Sequence, residues 1–280
     1  MTFDQTPLHA LIERYDGFLI DQFGVLLDGH QAYPGAVQAL ALIAKREKPV
    51  VILSNSGKRS QANCDRITSH GFAREHFIAA VTSGELAYQS IAQSIGTTID
   101  EQARVMTLAR DGDPSPVSDL GLIETTDPSQ ADLLLIVSRD LSNSRDEYAE
   151  ILKRFDKTNG RCLCLNPDLN MLTPQGLAFS AGTIAKDFEA MGGSVEWYGK
   201  PHSRIYDAAR AFIPDIPPDH ILCIGDSIDH DIKGGVDASL STALVRQGVH
   251  ADLSDSEIAA ACRTLGIAPD HVINSFSLTN

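Results

Sequence analysis

Asp21 closes the apolar run Phe18-Leu19-Ile20 and is followed by Gln22, Phe23 and Gly24. A short apolar strand that ends on a carboxylate and turns at a glycine displays that carboxylate at the strand's end, where it can act as a nucleophile. Three other places have the same layout. Pro49 to Leu53 runs into Ser54-Asn55-Ser56-Gly57, Val195 to Tyr198 into Gly199-Lys200-Pro201, and Ile221 to Ile224 into Gly225-Asp226, with Asp229 and Asp231 close behind. Any one of these polar groups would ordinarily be read as the cap of a following helix. Four of them at one edge of a sheet make that reading insufficient. Together they are the parts of a phosphoryl-transfer site.

The elements that must position these groups alternate between buried strands and helices. Helices are expected over Pro7 to Arg14, over Gly35 to Arg46 with Pro34 at the first helical position, and over Ser60 to His70, closed by Gly71. Strands are expected over 17–20, 49–53 and 77–81. This alternation implies an α/β fold, a Rossmann-like parallel sheet covered on both faces. Ligands of such sheets bind beyond the carboxyl ends of the strands. A second α/β unit follows. Its helices are expected at Glu85 to Ile95, Arg145 to Phe155 and Thr183 to Met191, and its strands at 104–109, 131–137 and 162–165. A loop spans 110–119. The chain is thus divided into a core of residues 1–82 and 194–280 and an inserted unit of residues 83–193. The core resumes with Val195 to Tyr198, a helix from Ser203 to Phe212, strands at 221–224 and 238–245, and a helix from Asp255 to Leu265.

A formal net charge of −14 over 280 residues argues against nucleic acid or an anionic membrane as partner. It leaves room for a small phosphorylated molecule, whose charge a bound cation can offset. No apolar stretch has the length of about 20 residues needed to span a bilayer, and Met1-Thr2-Phe3-Asp4-Gln5 lacks the features of a signal peptide. The expected location is cytoplasmic. Cys64, Cys162, Cys164, Cys223 and Cys262 are scattered and odd in number, so they read as buried small hydrophobes.

The ordered set Asp21-Gln22-Phe23-Gly24-Val25, Pro34-Gly35-Ala36, Ile52-Leu53-Ser54-Asn55-Ser56, Asn166-Pro167-Asp168, Gly199-Lys200-Pro201 and Gly225-Asp226 with Asp231 resembles the haloacid dehalogenase (HAD) superfamily. It is most similar to the class IIA, NagD-like hydrolases, which carry an α/β cap between their second and third motifs. The resemblance implies an aspartyl-phosphate on Asp21, with Ser54 and the Asn55 backbone holding the phosphoryl oxygens. Lys200 would neutralise nucleophile and phosphate. Asp226 and Asp231, with Asp21 and the Phe23 carbonyl, would bind Mg²⁺. It also implies that the 166–176 segment of the cap, including Asn166 and Asp168, faces the substrate, with Asp168 either touching it or capping a turn. The substrate would be a small phosphorylated metabolite, and a homodimer fits the class.

The chain departs from the pattern at Phe23, where the family's phosphatases usually carry the acid that protonates the leaving oxygen and activates water. Such catalysis contributes about 10²–10⁴-fold, so efficient substrates should have good leaving groups unless another residue, such as Asp28 or His30, takes over. Two other readings stand beside a phosphohydrolase of altered or reduced acid–base power. One is a metal-independent 2-haloacid dehalogenase, against which the carboxylates around Asp226 argue. The other is a protein that binds a phosphorylated ligand without turnover. Lys58-Arg59-Ser60 is not a P-loop, because Ile52 stands where its first glycine belongs and Arg59 separates Lys58 from Ser60. Lys58 and Arg59 could attract an anion or simply be a solvated helix start. Asp229 reads as a solvated turn residue, and His230 as exposed and paired with acids.

Overall fold

The computed structural model describes residues 5–278 apart from 111–112, 114–115 and 174–175. Met1–Asp4, part of the expected 110–119 loop and part of the 166–176 segment lie outside the described residues. The chain forms two compact units: Met1–Ser54, Ser60–Val81 and Lys200–Asn280 make one, and Asn55–Arg59 with Thr82–Gly199 the other.

The first unit is built on a six-stranded sheet. Its strands are β1 (Gly17–Asp21), β2 (Val50–Ser54), β3 (Ala79–Thr82), β11 (Ile221–Gly225), β12 (Ser241–Val245) and β13 (His271–Ile273), in the order β13-β12-β11-β1-β2-β3. β1 lies between β11 and β2 and is parallel to both; Ile20 pairs with Ile224, and Asp21 with Leu53. All five residues of β1, β2 and β11 are buried. That is why each reads as an unbroken apolar run rather than an alternating one. One apolar cluster joins Phe18, Ile20, Ile52, Leu222 and Ile224 to Leu40 and Ile43 of helix α2 (Ala36–Lys45). Among the described residues, no helix is long and apolar enough to cross a membrane.

The second unit holds a five-stranded sheet, β10-β7-β6-β4-β5, and a two-stranded antiparallel hairpin, β8-β9. Its strands are β4 (Arg104–Leu108), β5 (Ile123–Glu124), β6 (Leu133–Ile136), β7 (Arg161–Cys164), β8 (Asn170–Thr173), β9 (Gly176–Phe179) and β10 (Val195–Trp197). Helix α5 (Arg145–Arg154) opens on a capping box between Ser144 and Glu147. With α6 (Ala181–Ala190) it covers the face carrying Leu134, Ile136, Cys162 and Cys164.

Four expectations need correction. Val195 to Tyr198 does not reopen the first sheet, because β10 pairs with β7, Val195 opposite Cys162 and Trp197 opposite Cys164. The inserted unit, expected over 83–193, runs on to Gly199; a Cβ on Gly193 would lie 2.3 Å from the Phe188 ring, so that glycine serves packing within the unit. Pro34 is not the first helical residue, since α2 begins at Ala36 after Gly35 at φ 82°. The strand expected from Ala238 starts at Ser241. The preceding residues finish α8 (Lys233–Asp237), whose two glycines disguise a helix. A Cβ on Gly234 would fall 2.4 Å from the Tyr206 ring, so close helix packing explains that glycine. The five cysteines are free and buried, as their scatter implied.

Candidate active site

The carboxyl ends of β1 and β11 lie side by side because those strands pair in parallel register. β1 delivers Asp21. The chain then turns through Gln22, whose carbonyl accepts from Leu26 N at 3.0 Å and Leu27 N at 2.9 Å. β11 ends at Gly225, and Asp226 follows. A π-type turn, Ile228–Ile232, then carries Asp231 back; Ser227 N donates to Asp231 Oδ2 at 3.1 Å. Lys200 Nζ donates to Asp21 Oδ1 at 2.5 Å and to Asp231 Oδ1 at 2.7 Å. All four side chains are buried: Asp21 is 7% exposed, Lys200 3%, Asp226 4% and Asp231 1%. Asp21, Asp226 and Asp231 each present an oxygen, and the three oxygens lie within 4.8 Å of one another.

Three buried acids gather around one buried ammonium. Burial is the largest influence on Asp21 and pushes its carboxyl well above the usual range; Lys200 opposes this, and Asp231 and Asp226 reinforce it. Burial, then Asp231, lifts Asp226 to about 7, against the pull of the Val249 N–H. Burial would lower Lys200, but the carboxylates of Asp21 and Asp231 outweigh it and keep the ammonium charged. An all-oxygen donor set with surplus negative charge fits a hard divalent cation.

Asp226 is also clasped by residues that the sequence reading passed over. Val249 N donates to its Oδ2 at 2.7 Å. A Cβ on Gly24 (φ 89°) would lie 2.1 Å from the same oxygen, and one on Gly248 (φ 62°) 1.9 Å. Both glycines leave room for the carboxylate, and both adopt backbone angles that side chains disfavour. The available signal was Gly248-Val249 in the loop after β12, at the same sheet edge as Asp21.

The remaining candidates take these positions. Ser54 ends β2 and is 1% exposed. Phe23 is 37% exposed, with the Arg66 guanidinium 5.4 Å from its ring centroid. Arg66 belongs to α3 (Ser60–Ser69), is half-buried, and has its basicity lowered by that burial. Asp28 is exposed, and its Oδ1 accepts from the backbone N–H of His30 at 2.7 Å and of Gln31 at 2.8 Å. Those bonds hold its carboxyl below the usual range, which suits a turn-former and not a proton donor. His230 is half-buried, not exposed as expected; its Nδ1 lies 3.3 Å from Ser227 Oγ. Asp229 is exposed in the π-type turn.

In the second unit, Asn55 Nδ2 donates to Asp168 Oδ1 at 2.8 Å, and Asn166 Oδ1 accepts from Asp168 N at 3.0 Å. The three residues therefore form one hydrogen-bonded group. Arg59 pairs with Glu85 at 2.7 Å and stacks on Tyr88 of α4 (Ser83–Ser94). Lys58 stays half-exposed, 3.9 Å from Asp113.

Residues 18–123 match the family model for haloacid dehalogenase-like hydrolases, and residues 197–278 match that for HAD-hydrolase-like proteins. The dihydroxyacetone phosphatase of Corynebacterium glutamicum is 27% identical over 274 residues, covering 93% of this chain and 89% of that protein. Human chronophin is 24% identical over 279 residues, covering 96% and 94%. Among solved structures, a haloacid dehalogenase-like hydrolase from Brucella suis superposes with a TM-score of 0.81 at 24% identity, over 96% of this chain and 98% of that one. The p-nitrophenyl phosphatase of Archaeoglobus fulgidus does so with 0.73 at 22%, over 94% and 97%. Both sheets, the buried acid–lysine cluster and these likenesses agree: the chain belongs to the haloacid dehalogenase-like hydrolases, and it is a hydrolase of their phosphatase type.

Proposed function

We propose that this protein is a Mg²⁺-dependent phosphohydrolase of a small phosphorylated metabolite, working through an aspartyl-phosphate on Asp21 with acid–base help reduced by Phe23. The observation that carries this reading is the buried convergence of Asp21, Asp226 and Asp231 on Lys200. Lys200 holds the Asp21 carboxylate in place and opposes its protonation before attack on phosphorus. The Ser54 hydroxyl and the Asn55 main-chain N–H hold phosphoryl oxygens. Asp21, Asp226 and Asp231 with the Phe23 carbonyl would hold the ion, which supplies positive charge that offsets repulsion between carboxylate and phosphate. Phe23 neither gives nor takes a proton, so the leaving oxygen departs without help from that position.

Residues 83–193 act in this scheme as the cap, extended to Gly199 by the pairing of β10. Asn166 and Asp168, tied to Asn55, are its substrate-side residues. Phosphate release from an activated ester such as p-nitrophenyl phosphate tests the proposal. Release is expected to need Mg²⁺, to stop with a chelator, and to fall at least about 10³-fold in Asp21→Asn, the nucleophile being indispensable to covalent catalysis. Release indifferent to either change refutes it. Halide release from a 2-haloacid without metal would instead establish the dehalogenase reading.

A further inference from the structure

Resting on the phosphohydrolase reading, we infer that Arg66 selects substrates whose leaving group departs as an oxyanion, a carboxylate or a phosphate, rather than as an alcohol. Phe23 lies between Asp21 and Gly24, and both of these adjoin the acid cluster: Asp21 is part of it, and a Cβ on Gly24 would lie 2.1 Å from Asp226 Oδ2. Phe23 is 37% exposed and stands where the resemblance implies a proton donor. Over it stands the Arg66 guanidinium, 5.4 Å from the centroid, where the ring face attracts and steadies a planar cation.

Among the described residues, Arg66 lacks the acid partner that several other half-exposed arginines have. Arg59 binds Glu85, Arg145 binds Asp187, and Arg161 binds Glu196. The half-buried Arg66 guanidinium has no carboxylate or carbonyl partner among the described residues. Removing a cation from water without a counter-charge is unfavourable, so the site favours an incoming anion. A guanidinium offers a fork of N–H donors that matches carboxylate and phosphate, and it does not release a proton at neutral pH.

The loss of an acid and the presence of a free cation favour the same class. An alcohol leaves poorly unless protonated. A carboxylate or phosphate, whose conjugate acid ionises below neutrality, leaves as the anion and gains from a cation beside the breaking bond. An Asp21 oxygen bonds to phosphorus as the bond from phosphorus to the leaving oxygen breaks, its electron pair staying on that oxygen. Water then attacks the aspartyl-phosphate. The electron pair returns to Asp21, and the proton from water leaves with the released phosphate.

The test compares kcat/KM for acetyl phosphate, pyrophosphate and glycerol 3-phosphate with that for p-nitrophenyl phosphate, in wild type, Arg66→Met and Arg66→Lys, with melting curves to check folding. Wild type should prefer acetyl phosphate or pyrophosphate to glycerol 3-phosphate by at least about 10-fold; the preferred member tells carboxylate from phosphate. The ratio of that substrate to p-nitrophenyl phosphate should fall at least about 10-fold in Arg66→Met, the scale of a charge-assisted contact, and recover in part in Arg66→Lys. If Arg66→Met does not fold, Arg66→Gln gives the same readout. A ratio unchanged within about twofold, or a wild-type preference for glycerol 3-phosphate, overturns the inference and leaves the phosphohydrolase reading standing. No Asp21-dependent release from any of the four compounds ends both.

Discussion

Phe23 stands two residues after Asp21, where the resemblance implies a proton donor, and its replacement is the most direct experiment at this scale. Phe23→Asp places a carboxyl two residues from the nucleophile, beside Arg66. It should raise phosphate release from alcohol esters, by up to the 10²–10⁴-fold that a positioned acid typically supplies. Steady-state kcat on glycerol 3-phosphate, wild type against variant, checks this; an unchanged kcat would mean that another group already moves the proton. Gly24 governs the other side of the site. Gly24→Ala would set a methyl group 2.1 Å from Asp226 Oδ2 on a backbone at φ 89°. It should destabilise the protein by more than about 1 kcal/mol and weaken metal binding, read by urea melts and by Mg²⁺ titration.

At the scale of elements, the parallel pairing of β1 with β11 brings two carboxylates together from positions about two hundred residues apart in sequence. The far edge of the same sheet carries a pH dependence. His271 of β13 lies beside Tyr15, whose hydroxyl is 2.8 Å from Nε2. Burial, helped by Arg14, lowers His271 below its ordinary 6.5. The unfolded chain therefore binds the proton more readily than the folded one. The stability contributed by neutral His271 is present above pH 6.5 and is lost as pH falls from 6.5 through the lower folded-state value. Between pH 7 and pH 5 the melting temperature of wild type should drop more steeply than that of His271→Gln. Parallel melting profiles would assign the acid sensitivity elsewhere.

For the whole molecule, the excess of buried acids over Lys200 links metal binding to folding. A cation that binds only the folded chain stabilises it by about 2.7 kcal/mol at a hundred times its dissociation constant. Mg²⁺ should accordingly raise the melting temperature of wild type and have little effect on Asp226→Asn. An equal rise in both would place the ion elsewhere. The net charge of −14 disfavours polyanionic partners generally.

The alternating apolar runs and the polar groups that end them determined the α/β class. They also pointed to Asp21, Ser54 and Asp226 at the ends of β1, β2 and β11, because a strand buried on both faces has to carry its chemistry at its end, whereas Lys200 follows half-buried β10 of the second sheet. The helix expected over Asp255 to Leu265 is α9 (Asp255–Leu265), which opens on a capping box between Ser254 and Glu257 and ends at Gly266 in the left-handed region. Tertiary structure decided what depends on approach across long stretches of sequence. The amide of Val249 lies 23 residues from Asp226, and Arg66 sits over a ring 43 positions earlier. β10 joined the second sheet because β7 supplied a pairing edge, which no local pattern in Val195–Trp197 announces. Local propensity acts within a few residues. The clasp on Asp226, the lone guanidinium and the partner of an edge strand exist only once packing has brought distant segments into contact.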